Sequence, residues 1–274
     1  LIAKGEEIKP AEKRKKVLVV GGGPGGMEAA RVSALRGHEV ILYEKMDKLG
    51  GQVNLACIPP DKAELKEIIR YYTKQLEILG VKVVLNKEAM PKLIEEEKPD
   101  VVIIAMGSAP LIPDIPGIEG DNVVSAEDIL LGKASIGDKV IIIGGALVGC
   151  DVAHFLAEKG KVVTIVRRGE KIGAEITPSF VHRVFSRFEE LGVKRLPGVR
   201  YREIRKEGLT ISKDGEEELL EADTIVIAIG YQPNQALYEE LKDKASELYL
   251  IGDSKEPRAI FDAIHEGFDA ALSI

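Results

Sequence analysis

Lys16-Val-Leu-Val-Val-Gly-Gly-Gly23 and Lys139-Val-Ile-Ile-Ile-Gly-Gly-Ala146 are one pattern written twice, 123 residues apart. The register continues past them: Gly26 pairs with Gly149, Glu28 with Asp151 and Gly37 with Gly160. It returns much later, where Ala105-Met-Gly-Ser-Ala-Pro110 lines up with Ala228-Ile-Gly-Tyr-Gln-Pro233. An equal offset at both ends means copies of similar length, with any insertions and deletions cancelling. Solenoid repeats run about 20–50 residues, so this spacing is one supersecondary unit used twice.

Each copy opens with an apolar run of strand length, as a strand buried on both faces requires. Glycines follow, then helix-patterned stretches at Ala29 to Leu35 and Val152 to Glu158, stopped by Gly37 and Gly160. Second strands follow at Glu39 to Tyr43 and Val162 to Val166. The pattern predicts a right-handed βαβ unit twice over. The fold class is therefore α/β, with two Rossmann-like three-layer domains. Between the copies, Pro59 to Leu79 reads as a long amphipathic helix and Ser108 to Gly120 as an extended proline-bearing linker; later in the chain, Tyr201 to Leu220 reads as a small β-meander around a Lys213-Asp-Gly215 turn.

A glycine-rich turn from strand to helix suits a dinucleotide pyrophosphate. In Gly21-x-Gly23-x-x-Gly26 the first glycine permits the tight turn, the second lets backbone approach phosphate, and the third lets helix pack on strand. The helix N-terminus offers unpaired N–H groups and a positive dipole end. Pro24 suits the first helical turn. Glu44, at the end of the second strand, can accept hydrogen bonds from ribose hydroxyls. The second turn is Gly144-x-Ala146-x-x-Gly149, with a methyl at the middle position. Arg167 stands where Glu44 stands, 23 residues after the first glycine in both copies, and Arg168 follows it. A carboxylate there repels a ribose 2′-phosphate and an arginine pairs with one, so the second turn points to NADPH over NADH. The plainer alternatives are a turn without ligand and a solvated basic pair.

Composition narrows the rest. The chain has 274 residues, 45% hydrophobic and 30% charged, enough for two soluble domains. A net charge of −7 argues against nucleic acid. No apolar run approaches the roughly 20 residues of a membrane helix, and no signal-peptide pattern is visible. Two cysteines, Cys57 and Cys150, are too few for a disulfide framework, a zinc site or an iron–sulfur site; they fit a cytoplasmic setting. The four histidines His38, His154, His182 and His265 lack metal spacing, so no metal is expected. There is no G-x-S-x-G elbow and no P-loop lysine. Glu95 to Lys98 and Lys13 to Lys16 read as solvated surface. A chain that starts at Leu1 and not at methionine reads as a piece of a longer polypeptide, the alternative being removal of the initiator by processing.

These residues carry a family resemblance. The chain is similar to flavoprotein pyridine-nucleotide oxidoreductases, and most resembles the C-terminal portion of the 2,4-dienoyl-CoA reductase, enoate reductase and NADH oxidase group related to old yellow enzyme. The matching stretches are Lys16 to Lys45, Leu49-Gly-Gly-Gln-Val-Asn54, Ile58-Pro-Pro60, Ala105 to Pro110, Leu147-Val-Gly-Cys150, Ala228 to Asn234, Tyr249-Leu-Ile-Gly-Asp253 and Ile264-His-Glu-Gly267. The resemblance implies FAD at the first turn, lined by Gly21, Gly23, Pro24, Gly26, Glu44, Lys45, Gly51, Gln52, Gly107, Gly252 and Asp253. It implies a nicotinamide nucleotide at the second, lined by Gly144, Ala146, Gly149, Arg167, Arg168 and Gly230. Asp253 would face the ribityl or pyrophosphate part; the alternative is a cap on the last helix. The resemblance also implies a nicotinamide domain at 113–221 inserted in an FAD domain at 16–112 and 222–274, with 1–15 a linker from an N-terminal FMN barrel and 4Fe-4S segment. Electrons would then run from NAD(P)H to FAD and on to that barrel, with no general acid named in this chain. The reading is compatible with an oligomer. Met106, where the family has threonine, departs from the pattern, as does Ala146, and Cys57 lacks the nearby partner of a redox pair. Two rival functions remain: a nucleotide-holding scaffold without catalysis, and a free-standing NAD(P)H oxidase.

Overall fold

The computed structural model describes residues 8–274. The chain divides into two compact units. The first comprises residues up to Cys57, Glu64–Ala109 and Gln232–Ile274; the second comprises Ile58–Ala63 and Pro110–Tyr231.

The first unit is built on a five-stranded parallel sheet in the order Leu248–Leu250, Val101–Ile104, Lys16–Val20, Glu39–Tyr43, Lys82–Val84. Alternate residues of a strand point to opposite faces, and here both faces are covered. Val17, Val19, Val40, Leu42 and Ile103 pack under the helices Pro24–Leu35, Lys66–Ile78 and Ile260–Ser273. Leu18, Val20, Ile41, Val102 and Ile104 pack under Pro91–Glu97 and Ala236–Leu241. Val17, Leu18 and Val19 are wholly buried, each contributing about 1.5–3 kcal/mol relative to an exposed side chain.

The second unit repeats this plan in the order Val123–Ser125, Thr224–Ile227, Lys139–Ile143, Val162–Arg167, Lys194–Pro197, again all parallel. One face lies under the helices Ala126–Leu130, Leu147–Glu158 and Pro178–Glu190. The other lies under the antiparallel meander Arg200–Arg205, Gly208–Lys213, Glu216–Glu221, whose Ile204, Leu209 and Ile211 meet Ile141, Ile143 and Ile225. The third layer is thus helical in one unit and a β-sheet in the other. The edge strand also differs in origin: in the first unit it comes last in the chain, and in the second it precedes the glycine turn.

Several expectations need correction. The boundaries fall at 109/110 and 231/232 and not at 112/113 and 221/222. Residues 222–231 go to the second unit because Thr224–Ile227 bonds between Lys139–Ile143 and Val123–Ser125. Residues 58–63 join it through Lys62 Nζ on Asp151, at 2.5 Å, and Asp61 on Arg183, at 2.6 Å. The long helix is shorter than read: a 3-10 turn at Ala63–Leu65 leads into Lys66–Ile78, leaving Pro59 and Pro60 outside. The glycine-turn helices extend five residues ahead of the patterned stretches at Ala29 and Val152, to Pro24 and Leu147, and Pro24 takes the first helical position as expected. The supposed linker packs: Ile115 is buried, and the Pro116 carbonyl accepts the Ile204 N–H at 2.8 Å.

Of the stretch 1–15, residues 1–7 lie outside the described residues. The remainder lies along the first unit: Ile8 packs on Val32, Phe268 and Ala271, and the Ala11 N–H reaches the Arg36 carbonyl at 2.9 Å. Nor are the charge runs simply solvated. Lys15 pairs with Glu247, and Lys16 pairs with Glu97, which also accepts from the Tyr43 hydroxyl at 2.7 Å.

The two glycine turns superimpose in their contacts. A Cβ on Gly21 would lie 2.2 Å from the Ala105 carbonyl oxygen, and one on Gly144 would lie 2.1 Å from that of Ala228. A Cβ on Gly26 would lie 2.0 Å from the Gly21 oxygen, and one on Gly149 would lie 1.9 Å from the Gly144 oxygen. Nothing stands within 4 Å of a Cβ built on Gly23. Gly26→Ala and Gly149→Ala should each cost about 3 kcal/mol or more, because backbone must move. Gly23→Ala should cost under about 1 kcal/mol, as an alanine in an N-cap position does. Urea denaturation of the three variants measures this; equal costs at Gly23 and Gly26 would contradict it.

Candidate functional site

The first turn places Gly23 as N-cap of a 12-residue helix with Pro24 at its first position and no side-chain cap. The leading N–H groups of that helix are left to a ligand or water, which is the usual electrostatic basis of anion binding there. Gly23 has φ −74°, so its glycine is not required by backbone conformation; it leaves space in front of the helix. Gly51, at φ +51°, comes up against it: a Cβ there would lie 3.0 Å from the Gly23 Cα.

Glu44 follows its strand directly and is buried, 6% exposed. Its Oε2 accepts the Gly22 N–H at 2.7 Å and its Oε1 the Met46 N–H at 2.8 Å. Each oxygen keeps lone-pair capacity for a further donor such as a ribose hydroxyl. Lys45 beside it is exposed.

A polar chain links three of the expected residues. Gln52 Nε2 donates to the Ser108 hydroxyl at 3.1 Å, and that hydroxyl donates to Asp253 Oδ2 at 3.3 Å. The Arg258 N–H reaches Asp253 Oδ1 at 3.3 Å. Burial pushes the Asp253 carboxyl up from the usual carboxylate range, opposed by these donors. Gly252, at φ +60°, donates its N–H to Glu266 at 2.7 Å, and Glu266 in turn pairs with Arg258 and Lys255. Gly107, at φ +70°, opens on empty space. The structure therefore gathers Gly21, Gly23, Gly26, Glu44 and Gly51 around one helix start, and Gln52, Ser108 and Asp253 in one hydrogen-bonded row.

In the second unit Ala146 is the N-cap of the matching 12-residue helix, also without a side-chain cap. Its φ of −82° is close to that of Gly23, so the methyl introduces no strain and only occupies the space that Gly23 leaves open. Arg167 Nη1 donates to the Gly145 carbonyl at 3.0 Å and to Glu175 Oε2 at 2.7 Å, and Nη2 donates to Glu175 Oε1. Arg168 is exposed and lies over the Tyr201 ring at 5.5 Å. A cleft beside the helix start is lined by Leu111, Ala126, Val148, Ala228 and Gly230.

Sequence reasoning named Glu44 and Arg167 but missed Ser108, Arg258, Glu266 and Glu175. The signal for Glu175 was present. The offset of 123 also pairs Leu49-Gly-Gly-Gln52 with Ile172-Gly-Ala-Glu175. The structure keeps that register: Gly50 N–H bonds the Gly22 carbonyl at 2.8 Å, and Gly173 N–H bonds the Gly145 carbonyl at 2.7 Å. Glu28 and Asp151 also correspond; both are held by cations, Arg31 and Lys62, within their own units.

The other candidates sit in packing contacts. Cys57 is buried, its thiol donating to the Asn54 carbonyl at 3.4 Å. Cys150 is buried in the second core, and desolvation pushes its thiol up to about 12. His265 packs against Phe261 with ring centroids 3.9 Å apart. Among the described residues no cluster of histidine, cysteine or carboxylate could hold a metal, and no helix is long and apolar enough to cross a membrane.

Comparison with known proteins identifies the family. The chain is 41% identical to an NADH oxidase of Thermoanaerobacter brockii over 98% of its own length and 42% of that protein. It is 38% identical to a cinnamate reductase of Clostridium sporogenes over 97% of its length and 40% of that protein. The chain thus spans about two fifths of the length of these relatives. A solved 2-naphthoyl-CoA reductase matches with a TM-score of 0.94 at 40% identity, covering 98% of this chain and 41% of that one. The family model for pyridine nucleotide-disulphide oxidoreductases matches residues 15–252. The chain belongs to the pyridine nucleotide-disulphide oxidoreductase family.

Proposed function

We propose that the first glycine turn holds FAD, that the second holds NADPH in preference to NADH, and that the chain is the electron-input part of a larger reductase. One observation carries the assignment: the same cradle occurs twice, with a carboxylate at the ribose position of one and a guanidinium at that of the other. FAD and NAD(P)H share an adenosine diphosphate, so a duplicated cradle suits both. FAD ends in an unphosphorylated ribose, which Glu44 can accept; a 2′-phosphate is matched by Arg167 and Arg168.

When bound, the two cofactors supply the hydride donor and acceptor, and the protein's task is binding, orientation and electrostatics. Gly23 and Gly51 leave room for phosphate at the first helix start. Gln52, Ser108 and Asp253 form a polar row suited to a ribityl chain. Burial raises the Asp253 carboxyl, so a hydroxyl donor placed against it replaces lost hydration. Dithiol chemistry has no support here: Cys150 is held as an un-ionised buried thiol. The size of the relatives, and the names cinnamate reductase and 2-naphthoyl-CoA reductase among them, support a downstream electron acceptor in the remaining three fifths of such a protein, serving a reduction of enoyl or dienoyl type. That acceptor would be an N-terminal FMN/4Fe-4S barrel.

Anaerobic titration of the FAD-reconstituted chain with NADPH, with NADH in parallel, should bleach the flavin band. A bound flavin that neither donor reduces would leave a nucleotide-holding scaffold. Gly23→Val should weaken FAD binding at least tenfold, about 1.4 kcal/mol, while leaving urea stability near wild type. Equal FAD affinity in this variant would remove phosphate from the first turn. Arg167→Glu should lower the ratio of NADPH to NADH affinity; an unchanged ratio would end the 2′-phosphate assignment.

A further inference from the structure

Arg167 is not a free cation. Both its terminal nitrogens engage Glu175 in a two-pronged pair, and Nη1 also donates to the Gly145 carbonyl in the glycine turn at 3.0 Å. Arg167 in turn holds the Glu175 carboxyl below the usual carboxylate range, so the pair is fully charged at neutral pH. The corresponding residue of the first unit is the uncharged Gln52. A carboxylate at this position belongs to the second unit alone.

The pair has different consequences for the two nicotinamide nucleotides. A ribose with a free 2′-hydroxyl can bind beside Arg167 with the pair intact. A 2′-phosphate carries about −1.5 to −2 charges near neutral pH and seeks the same planar fork that Glu175 occupies. It must displace the carboxylate or lie against it, and like charges at that separation disfavour each other. Arg167 side-chain exposure is 22% and that of Glu175 is 48%, so the pair is partly open to solvent. A pair so exposed adds little to folding stability, and its chemical content lies in the turn it borders.

We propose that Glu175 is a specificity-determining residue of the second turn: by holding Arg167 it withholds the guanidinium from a ribose 2′-phosphate and so restrains the preference for NADPH over NADH. Glu175 acts through Arg167 and is a positioning residue. The proposal rests on the assignment of the nicotinamide nucleotide to this turn. Glu175→Gln installs the residue type of the first unit and removes the competing charge at little cost in shape.

The test is equilibrium binding of NADP⁺ and NAD⁺ to the chain, by calorimetry, for wild type, Glu175→Gln and the double variant Arg167→Gln/Glu175→Gln. Glu175→Gln should raise the ratio of NADP⁺ to NAD⁺ affinity on the order of tenfold, about 1.4 kcal/mol, and the double variant should lose that gain. A ratio that stays at the wild-type value in Glu175→Gln, with both nucleotides binding, overturns the role of Glu175 alone. That role is equally overturned if both affinities fall together, as loss of a purely structural pair would cause. A wild-type chain that binds neither nucleotide overturns the underlying assignment, and this proposal with it.

Discussion

The contact on which the rest depends is the approach of a bare Cα to a backbone carbonyl. Gly21 lies against the Ala105 oxygen and Gly144 against that of Ala228, with no room for a Cβ in either place. Gly26 and Gly149 then close the same turn against Gly21 and Gly144. This pulls each helix start down onto the ends of its central strands. The Ala105 N–H bonds the Val20 carbonyl and the Ala228 N–H bonds that of Ile143, both at 2.8 Å, so the neighbouring strand is locked to the turn from both directions. With no side chain capping either helix, the dipole ends face outward from the sheet. A phosphate there meets a preorganised set of donors.

On this shared geometry, small changes of residue carry the division of labour. Glu44 accepts the Gly22 N–H, and its counterpart Arg167 donates to the Gly145 carbonyl. The two side chains therefore grip corresponding residues of the turn from opposite electrical sides. Gly23 leaves space and Ala146 fills part of it, without any change of backbone shape. Only the first unit adds the row Gln52, Ser108, Asp253, drawn from three separate segments of chain. On the proposed assignment, one fold would hold two dinucleotides of different charge, with selectivity placed at the strand ends.

Much of this was legible in the sequence because it is written in local and repeated signals. Five-residue apolar runs, turn glycines and helix-ending glycines are short-range features, and the strands Lys16–Val20, Glu39–Tyr43 and Lys139–Ile143 lie where those features place them. What was not legible depends on partners distant in the chain. Residues 222–231 look like the start of a new segment until Thr224–Ile227 is seen paired with Lys139–Ile143, more than 80 residues away. Proline-rich spacing conceals that Ile115 has a core to enter. A run of glutamates conceals that one of them, Glu97, is claimed by Lys16 and Tyr43. Glu175 was overlooked for another reason: its segment resembles its copy by position and glycine placement, while its own residue type has changed.

The central claim is that each unit holds its own dinucleotide, and binding stoichiometry tests it most directly. The chain should be incubated with FAD and NADP⁺ together, freed of unbound nucleotide by rapid ultrafiltration, and assayed for both. The account predicts one FAD and one NADP⁺ retained per chain. A single dinucleotide in total, or NADP⁺ that leaves as FAD binds, would mean that the second cradle is only an architectural copy of the first.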